Sequence, residues 1–214
     1  MANEEHLEKL NQGVLAWNAW RQKHPKIKIN LNNAPLEGID LRKADLSDAE
    51  FIMTSLNGAD LRDANLSRAI LIGAHLHEAN LRHADLSEAD LSDAVLCRAT
   101  LIQADFRDTN LKRANLCGAD LRYAHFREAN LIEANLNGAT LTDACLWESQ
   151  RAGWSIQGII CEAAYWDKDR KERTLYSPGE FEKLHADQTK IILVVGFVNP
   201  LQVVTTYAHV ENMV

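Results

Sequence analysis

The chain has 214 residues with a formal net charge of −7, and it is 46% hydrophobic with only 4 Pro and 10 Gly. This balance predicts one folded domain with terminal additions and no long disordered tract. Acidic surfaces repel phosphate, which argues against direct nucleic-acid binding. The longest apolar run, Ile191 to Val198, is too short to cross a membrane, which argues against an integral membrane protein.

The N-terminal segment, residues 1–28, predicts a helix. Its apolar residues recur at helical spacing, at Leu7, Leu10, Val14 and Trp17. Asn3 is a candidate N-cap, and Pro25 ends the pattern. We expect one capping helix over residues 4–23, with Trp17 and Trp20 partly buried against the first repeat; a partner-binding helix is the alternative. The segment has neither the basic region nor the apolar stretch of a signal peptide, so the cytoplasm is the expected location.

Residues 29–150 carry a five-residue repeat. All 24 positions counted by fives from Leu31 to Leu146 are Leu or Phe, and 20 of the 23 positions two residues before them, from Ala34 to Ala144, are Ala. The exceptions are Ile39, Thr54 and Thr109. Five residues rotate by about 500° on a helix and reverse faces on a strand, so neither can present this pattern to one side. The chain must therefore turn every five residues, with Leu and Ala pointing inward and the other three residues facing solvent.

The unit Ala-(Asp/Asn)-Leu-x-x resembles the pentapeptide repeat family from Leu31 to Leu146. The resemblance implies a mainly β fold, a right-handed quadrilateral β-helix solenoid of about six coils, with four units in each coil. Four units per coil predict a second period of twenty, and the outward-facing residues show it. One such set, here called the Arg column, is interrupted only by Ile102 and consists of Arg42, Arg62, Arg82 and Arg122.

The predicted function is a non-enzymatic scaffold that acts through protein–protein contacts, with no cofactor. A filled rod offers no pocket with convergent catalytic groups. The Arg column is the candidate partner-binding surface; the alternative is that each guanidinium only offsets carboxylates on its own coil or the next. The predicted structural core includes the central residues Leu41, Leu61, Leu81, Leu86 and Leu121.

A second function follows from the resemblance, since some pentapeptide repeat proteins bind DNA gyrase or another topoisomerase by imitating DNA. The segment from Leu31 to Glu148 has 19 acidic and 11 basic residues, so the repeats carry nearly all the negative charge. Three features argue against this function here: the Arg column, a register without an inserted loop, and a small number of coils.

The cysteines Cys97, Cys117, Cys145 and Cys161 lack the spacing of a zinc finger. A period of twenty places His77, Cys97 and Cys117 on one column, with His75 beside them. These four side chains are the strongest metal-binding candidates in the sequence. A ladder spacing of about 4.8 Å suits tetrahedral coordination poorly, so we expect a solvated surface and no metal.

The C-terminal segment, residues 151–214, predicts a cap region. Trp154 lies in a stretch expected to form a last, irregular coil, and a short helix is expected to begin at Ser177–Glu180 with Phe181 and Leu184 on its packing face. The sequence GWSIQG at residues 153–158, with YSPGEFEKL at residues 176–184, resembles the tail that follows the repeats in some bacterial stand-alone pentapeptide repeat proteins. The uncharged, β-branched run Ile191–Val195 either covers the cap or pairs with a second copy of the chain as a homodimer.

Overall fold

The computed structural model describes residues 1–186. The predictions made for Ile191–Val195, and for dimerisation through this run, lie outside the described residues. In chain order the helices and strands are α1 (Glu4–Asn11), α2 (Val14–Lys23), β1 (Ala144–Cys145), β2 (Ala163–Tyr165), β3 (Arg173–Leu175) and α3 (Glu180–His185).

Between α2 and β2 the backbone forms a ladder of parallel bridges in which every fifth residue pairs with the one twenty positions later. The bridges run from Asn30 with Glu50 to Thr140 with Ile160. The Asp60 N–H donates to the Ile39 carbonyl at 2.9 Å, and the Asp60 carbonyl accepts from the Leu41 N–H at 2.8 Å. Every coil therefore contains twenty residues, or four five-residue units.

Each unit ends in a tight turn that begins at the central Leu. In one such turn the Ala44 N–H donates to the Leu41 carbonyl at 3.0 Å. The residue before Ala takes a left-handed backbone at every unit from 33 to 158, with φ between +52° and +70°. Most of these positions are not glycine, so the turn strains them. The ladder holds them in place: the Lys43 N–H at such a corner donates to the Arg62 carbonyl at 2.9 Å.

The Leu and Ala positions fill the interior of the coils. The central residues Leu41, Leu61, Leu81, Leu86 and Leu121 are all 0% exposed. Phe106 and Phe126 stack on adjacent coils with ring centroids 4.9 Å apart. Thr54 and Thr109 replace Ala without leaving a buried hydroxyl unpaired, because they donate to the carbonyls of Leu31 and Leu86 at 2.7 and 2.8 Å.

The N-terminal segment forms two helices, so the prediction of a single helix over residues 4–23 was wrong. The chain breaks at Gln12 and Gly13, where Gly13 adopts a φ of +92° that other residues rarely take. Asn3 caps α1, its side chain accepting from the His6 N–H at 3.3 Å. Trp17 is completely buried, more deeply than predicted, while Trp20 is partly buried.

Helix α2 contacts the first coil through side-chain donors. The Trp17 Nε1–H donates to the Asp45 carbonyl at 2.8 Å, and Arg21 donates to the Ser47 carbonyl at 2.8 Å. Higher in the rod the equivalent carbonyls, such as that of Asp60, accept backbone N–H groups from the preceding coil. Side chains of α2 therefore satisfy acceptors that a preceding coil would otherwise satisfy.

The backbone pattern continues past Leu146 with changed side chains, so the prediction of an irregular last coil was wrong. Bridges at Gln150, Ser155 and Ile160 keep the twenty-residue register. Arg151 takes the central position and Trp154 takes the Ala position. Beyond this coil β2 pairs in parallel with β1, and β3 pairs antiparallel with β2.

Helix α3 is close to its predicted start but only half of its predicted packing face is buried. The Glu180 carboxylate accepts from the Ser177 N–H at 2.7 Å, as a capping box would arrange, whereas the N-cap residue is Gly179 with no side-chain bond. Phe181 is buried, whereas Leu184 is 56% exposed, so its assignment to the packing face was wrong.

Candidate partner-binding face

The Arg column lies along one outer face of the rod, and three of its four members form ion pairs on their own coil. Each of the three guanidiniums contacts the carboxylate two residues earlier, across the intervening central Leu. The Nη2 to Oδ2 distance is 2.6 Å in every case, for Arg42 with Asp40, Arg62 with Asp60 and Arg122 with Asp120. The side chains at positions before and after the buried Leu thus meet over the coil surface.

These ion pairs change the titration of the groups involved. Hydrogen bonds from Arg42 lower the pKa of Asp40 to about 2, and those from Arg62 lower the pKa of Asp60. Burial raises the pKa of Asp120, but the bonds from Arg122 lower it by more in total. The three paired arginines have raised pKa values because of the same bonds. At neutral pH these three arginines and three aspartates are therefore charged and mutually neutralised.

Arg82 differs from the rest of the column because residue 80 is Asn where the other three coils have Asp. Asn80 contributes only its side-chain oxygen, which accepts from the Arg82 N–H at 3.2 Å. The Arg82 Nε–H donates to His83 Nε2 at 3.1 Å. No ion pair to a carboxylate forms at Arg82 within residues 1–186. Its two terminal nitrogens face solvent, since the residue is exposed.

A surface depression of about 370 Å³ adjoins Arg82. We call it the Arg82 site, and it is lined by Arg82, Ile102, Gln103, Arg122 and Tyr123. Ile102 is half-buried and replaces Arg in the column, so it forms an apolar floor between two guanidiniums. Tyr123 is 44% exposed at a left-handed corner of the next coil.

A second depression, of about 750 Å³, lies on the same face where α2 meets the first coils. Val14 and Leu15 form its apolar side, and its charged lining is mixed, consisting of Arg42, Lys43, Arg62, Asp40 and Asp63. Leu15 is 89% exposed, which is unusual for a leucine on a helix that packs against a rod. Both depressions therefore combine apolar and charged side chains along the Arg column, and the Arg82 site has no acidic lining residue.

The four metal-binding candidates do not form a metal site. Cys97 and Cys117 lie on adjacent coils as expected, with their sulfurs 2.6 Å apart and both thiols free. Burial and the neighbouring thiol raise the pKa of Cys97 to about 11. His77 instead contacts Glu78 at 3.4 Å. Across residues 1–186 no group of three His, Cys, Asp or Glu side chains could hold a metal ion.

Two side chains of this face escaped the sequence analysis. Leu15 was not identified as a surface residue, because the apolar positions of the single predicted helix were assigned to its neighbour Val14. Tyr123 lies on the column of His83 and Gln103, beside the Arg column, and the period of twenty could have revealed this grid. Sequence periodicity marks which residues stack, but it does not show which of them border a depression.

The observations define a solenoid built from twenty-residue coils, each with four Ala-(Asp/Asn)-Leu-x-x units. The model of the pentapeptide repeats family matches residues 28–63, 59–96, 74–113 and 109–147, with eight copies. The chain belongs to the pentapeptide repeat family, and the prediction made from its repeat is confirmed. Its coils are those of a right-handed β-helix solenoid.

Solved structures similar to the chain are pentapeptide repeat proteins. One from the thylakoid lumen of Arabidopsis thaliana is 29% identical, covers 53% of this chain and 69% of its own, and has a TM-score of 0.39. Rfr23 from the cyanobacterium Cyanothece 51142 is 25% identical over 72% of this chain and 99% of its own, with a TM-score of 0.38. QnrB1, a plasmid-mediated fluoroquinolone resistance protein, is 18% identical over 62% and 83%, also with a TM-score of 0.38.

No curated protein matches the chain. Among the helices in the part of the chain that the structure describes, none has the length and apolar character needed to span a membrane.

Proposed function

We propose that the chain is a non-enzymatic scaffold that binds a protein partner on the face of the Arg column. The observation that carries this proposal is the position of the two depressions, which lie on the same face and combine apolar side chains with arginines. Protein interfaces favour this combination, with Arg and aromatic residues enriched at their centres. The filled interior between Leu31 and Leu146 supports a role for the surface rather than for an internal pocket.

Two further proposals concern the architecture and location of the scaffold. The bridges from Asn30 to Ile160 support a rod of about six coils. The donors of α2, together with Trp154 and Phe181 at the other end, support caps that cover the open ends of the coils. The cytoplasm is the proposed compartment, because the four free cysteines suit reducing conditions.

Affinity capture from the native host with matched variants tests the partner-binding face. One variant replaces the Arg column, Arg42, Arg62, Arg82 and Arg122, by Gln. The control replaces Arg68, Arg98, Arg107 and Arg113, which lie on other faces, and so makes the same change in net charge. We expect a specific partner to be lost from the column variant and retained by the control. Equal loss in both variants, or retention in both, contradicts the proposal.

Dimerisation through residues 190–214 is a separate proposal, motivated by the uncharged run Ile191–Val195. Light scattering on the full chain and on a chain that ends at residue 189 tests it. A dimeric full chain together with a monomeric shortened chain supports the proposal, whereas a full chain that is monomeric at high concentration refutes it.

A further inference from the structure

The partner-binding face contains one arginine that differs chemically from its column neighbours. Arg42, Arg62 and Arg122 each donate from Nε and Nη2 to an aspartate on the same coil. A new anion would have to displace that aspartate, and would gain little by doing so. Arg82 has no such aspartate, and its Nε–H donates to His83, so its Nη1 and Nη2 donors are the pair available to an incoming group.

The donor geometry of Arg82 fits a carboxylate. A guanidinium offers parallel N–H donors that match the two oxygens of a carboxylate, as the three paired arginines of the column illustrate with Nε and Nη2, and the Nη1 and Nη2 donors of Arg82 form a second such pair. The contact between the Arg82 Nε–H and His83 limits the directions available to the side chain. Less rotamer entropy is then lost on binding than for a free arginine.

The surroundings of Arg82 favour a peptide over a free anion. Ile102 lies one coil above Arg82 and gives an apolar floor, and the Tyr123 ring borders the far side. Arg82 and Arg122 are two coils apart, or about 10 Å, a distance that roughly three residues of extended chain span. An acidic side chain with apolar neighbours could therefore contact Arg82 and Ile102 together.

The charge of the rod favours a monoanion over a phosphate group. Asp120 lies close enough to Arg82 for the two charges to interact. The chain as a whole has a net charge of −7. A phosphate group with up to two negative charges would meet more repulsion than a carboxylate with one.

We propose that the Arg82 site binds a glutamate or aspartate side chain within an extended, apolar segment of the partner protein. The proposal rests on the scaffold function above and specifies where and by which chemistry the partner is held. Asn80 is a specificity residue in this view, because it leaves Arg82 unpaired. The substitution Asn80→Asp would supply the missing aspartate and occupy Arg82 as Asp60 occupies Arg62.

The test uses the full chain and three capped tripeptides as probes: Leu-Glu-Leu, Leu-Gln-Leu and Leu-phosphoSer-Leu. Binding is followed by NMR at the Ile102 methyl groups and the Gln103 and Tyr123 amides. We expect saturable shifts with the Glu peptide and none with the Gln peptide. Arg82→Gln and Asn80→Asp should each weaken binding about tenfold, as loss of one charge-assisted pair implies.

The matched control is Asn130→Asp, which adds the same charge at the same repeat position on another face. Asn130 stacks with Asn110 and Gln150, so the new carboxylate has no acidic neighbour in its column. This variant should bind the Glu peptide like the wild type. The proposal is overturned if no peptide gives saturable shifts, if the Gln peptide binds equally, if the phosphoserine peptide binds more tightly, or if Asn80→Asp has no effect.

Affinity capture separates failure of this site from failure of the scaffold function. If wild type and Asn80→Asp capture the partner equally and the variant without the Arg column does not, the scaffold function is supported and the Arg82 site is contradicted. A partner lost from Asn80→Asp and retained by Asn130→Asp supports both.

Discussion

The repeat coils and the ends of the rod bury their apolar side chains in different ways. In the coils the same two residue types recur, and each Leu or Ala lies between equivalent residues of the coils above and below. At the ends the contacts are individual: Trp17 covers one end, and Trp154 packs near Phe181 at the other with ring centroids 6.2 Å apart. Repeated Leu and Ala contacts therefore form the core of the middle coils, whereas single large side chains cover the ends.

This difference predicts how substitutions propagate. A repeat protein is approximately a sum of units and interfaces between neighbours. A destabilising substitution in a middle coil disrupts the interfaces with both neighbouring coils and divides the ladder. The same change in an end coil disrupts one interface and leaves the remaining coils paired.

The largest effect is expected for Leu81→Asp in the middle of the rod. Leu81 is 0% exposed, and the filled coil has no room for water around a carboxylate. We expect a loss of at least about 4 kcal/mol in the free energy of unfolding and a large fall in the melting temperature. Circular dichroism during heating measures it. An unchanged melting temperature would contradict the inward orientation of the central position.

Ser87→Ala is the control for that substitution. Ser87 follows the central Leu86 on the next unit, and its hydroxyl donates to Asp85 at 2.6 Å near the surface. Losing such a partly solvated bond costs about 1 kcal/mol or less. The melting temperature should therefore stay close to that of the wild type.

A smaller effect is expected for Trp17→Ala at the N-terminal end. The substitution removes a fully buried ring and the donor to the Asp45 carbonyl, at a cost of about 3 kcal/mol. Hydrogen exchange should show loss of protection in α2 and the first coil, with the middle coils unchanged. Leu15→Ala on the same helix is the control, because Leu15 is 89% exposed. Uniform loss of protection along the rod would contradict a local role for Trp17.

The sequence predicted the coils better than the ends for the same physical reason. A residue such as Leu81 is one of many equivalent positions, so its environment can be inferred from the period alone. The break at Gly13 and the exposure of Leu184 depend on single contacts that no period records. The Arg column was visible in the sequence, but its division into paired arginines and Arg82 required the side-chain positions around Asn80.

At the C-terminal end we expect a pH-dependent loss of stability that involves His185. Its imidazole contacts Trp166, Tyr176 and Phe181, and burial followed by the charge of Arg151 lowers its pKa from 6.5 to about 4. Between these two values the unfolded chain binds a proton that the folded chain does not, so stability falls as the pH decreases from 6.5 to about 4 and then levels off. The full shift corresponds to about 3 kcal/mol, and the contribution is smaller because solvent screens the half-buried imidazole.

Urea unfolding followed by tryptophan fluorescence at several pH values measures this slope. His185→Phe should reduce this slope, because no group titrates at that position, and part of the slope should remain because burial and the charge of Arg170 also lower the pKa of His125. An identical pH dependence in wild type and His185→Phe would exclude His185 as its source.

The last prediction concerns the surface charge of the middle coils, where the expected effect is nil. A rod that imitates DNA must present unpaired negative charge, but carboxylates at Asp40, Asp48, Asp60, Asp93, Asp105 and Asp120 form ion pairs with arginines. We therefore expect the purified protein neither to inhibit supercoiling by DNA gyrase nor to relieve quinolone inhibition at micromolar concentration. Replacing Arg42, Arg62 and Arg122 by Gln would unmask three carboxylates and serves as the comparison. Dose-dependent inhibition by the wild type would favour a topoisomerase-binding DNA mimic over the scaffold proposed above, because paired carboxylates would then have been sufficient for recognition.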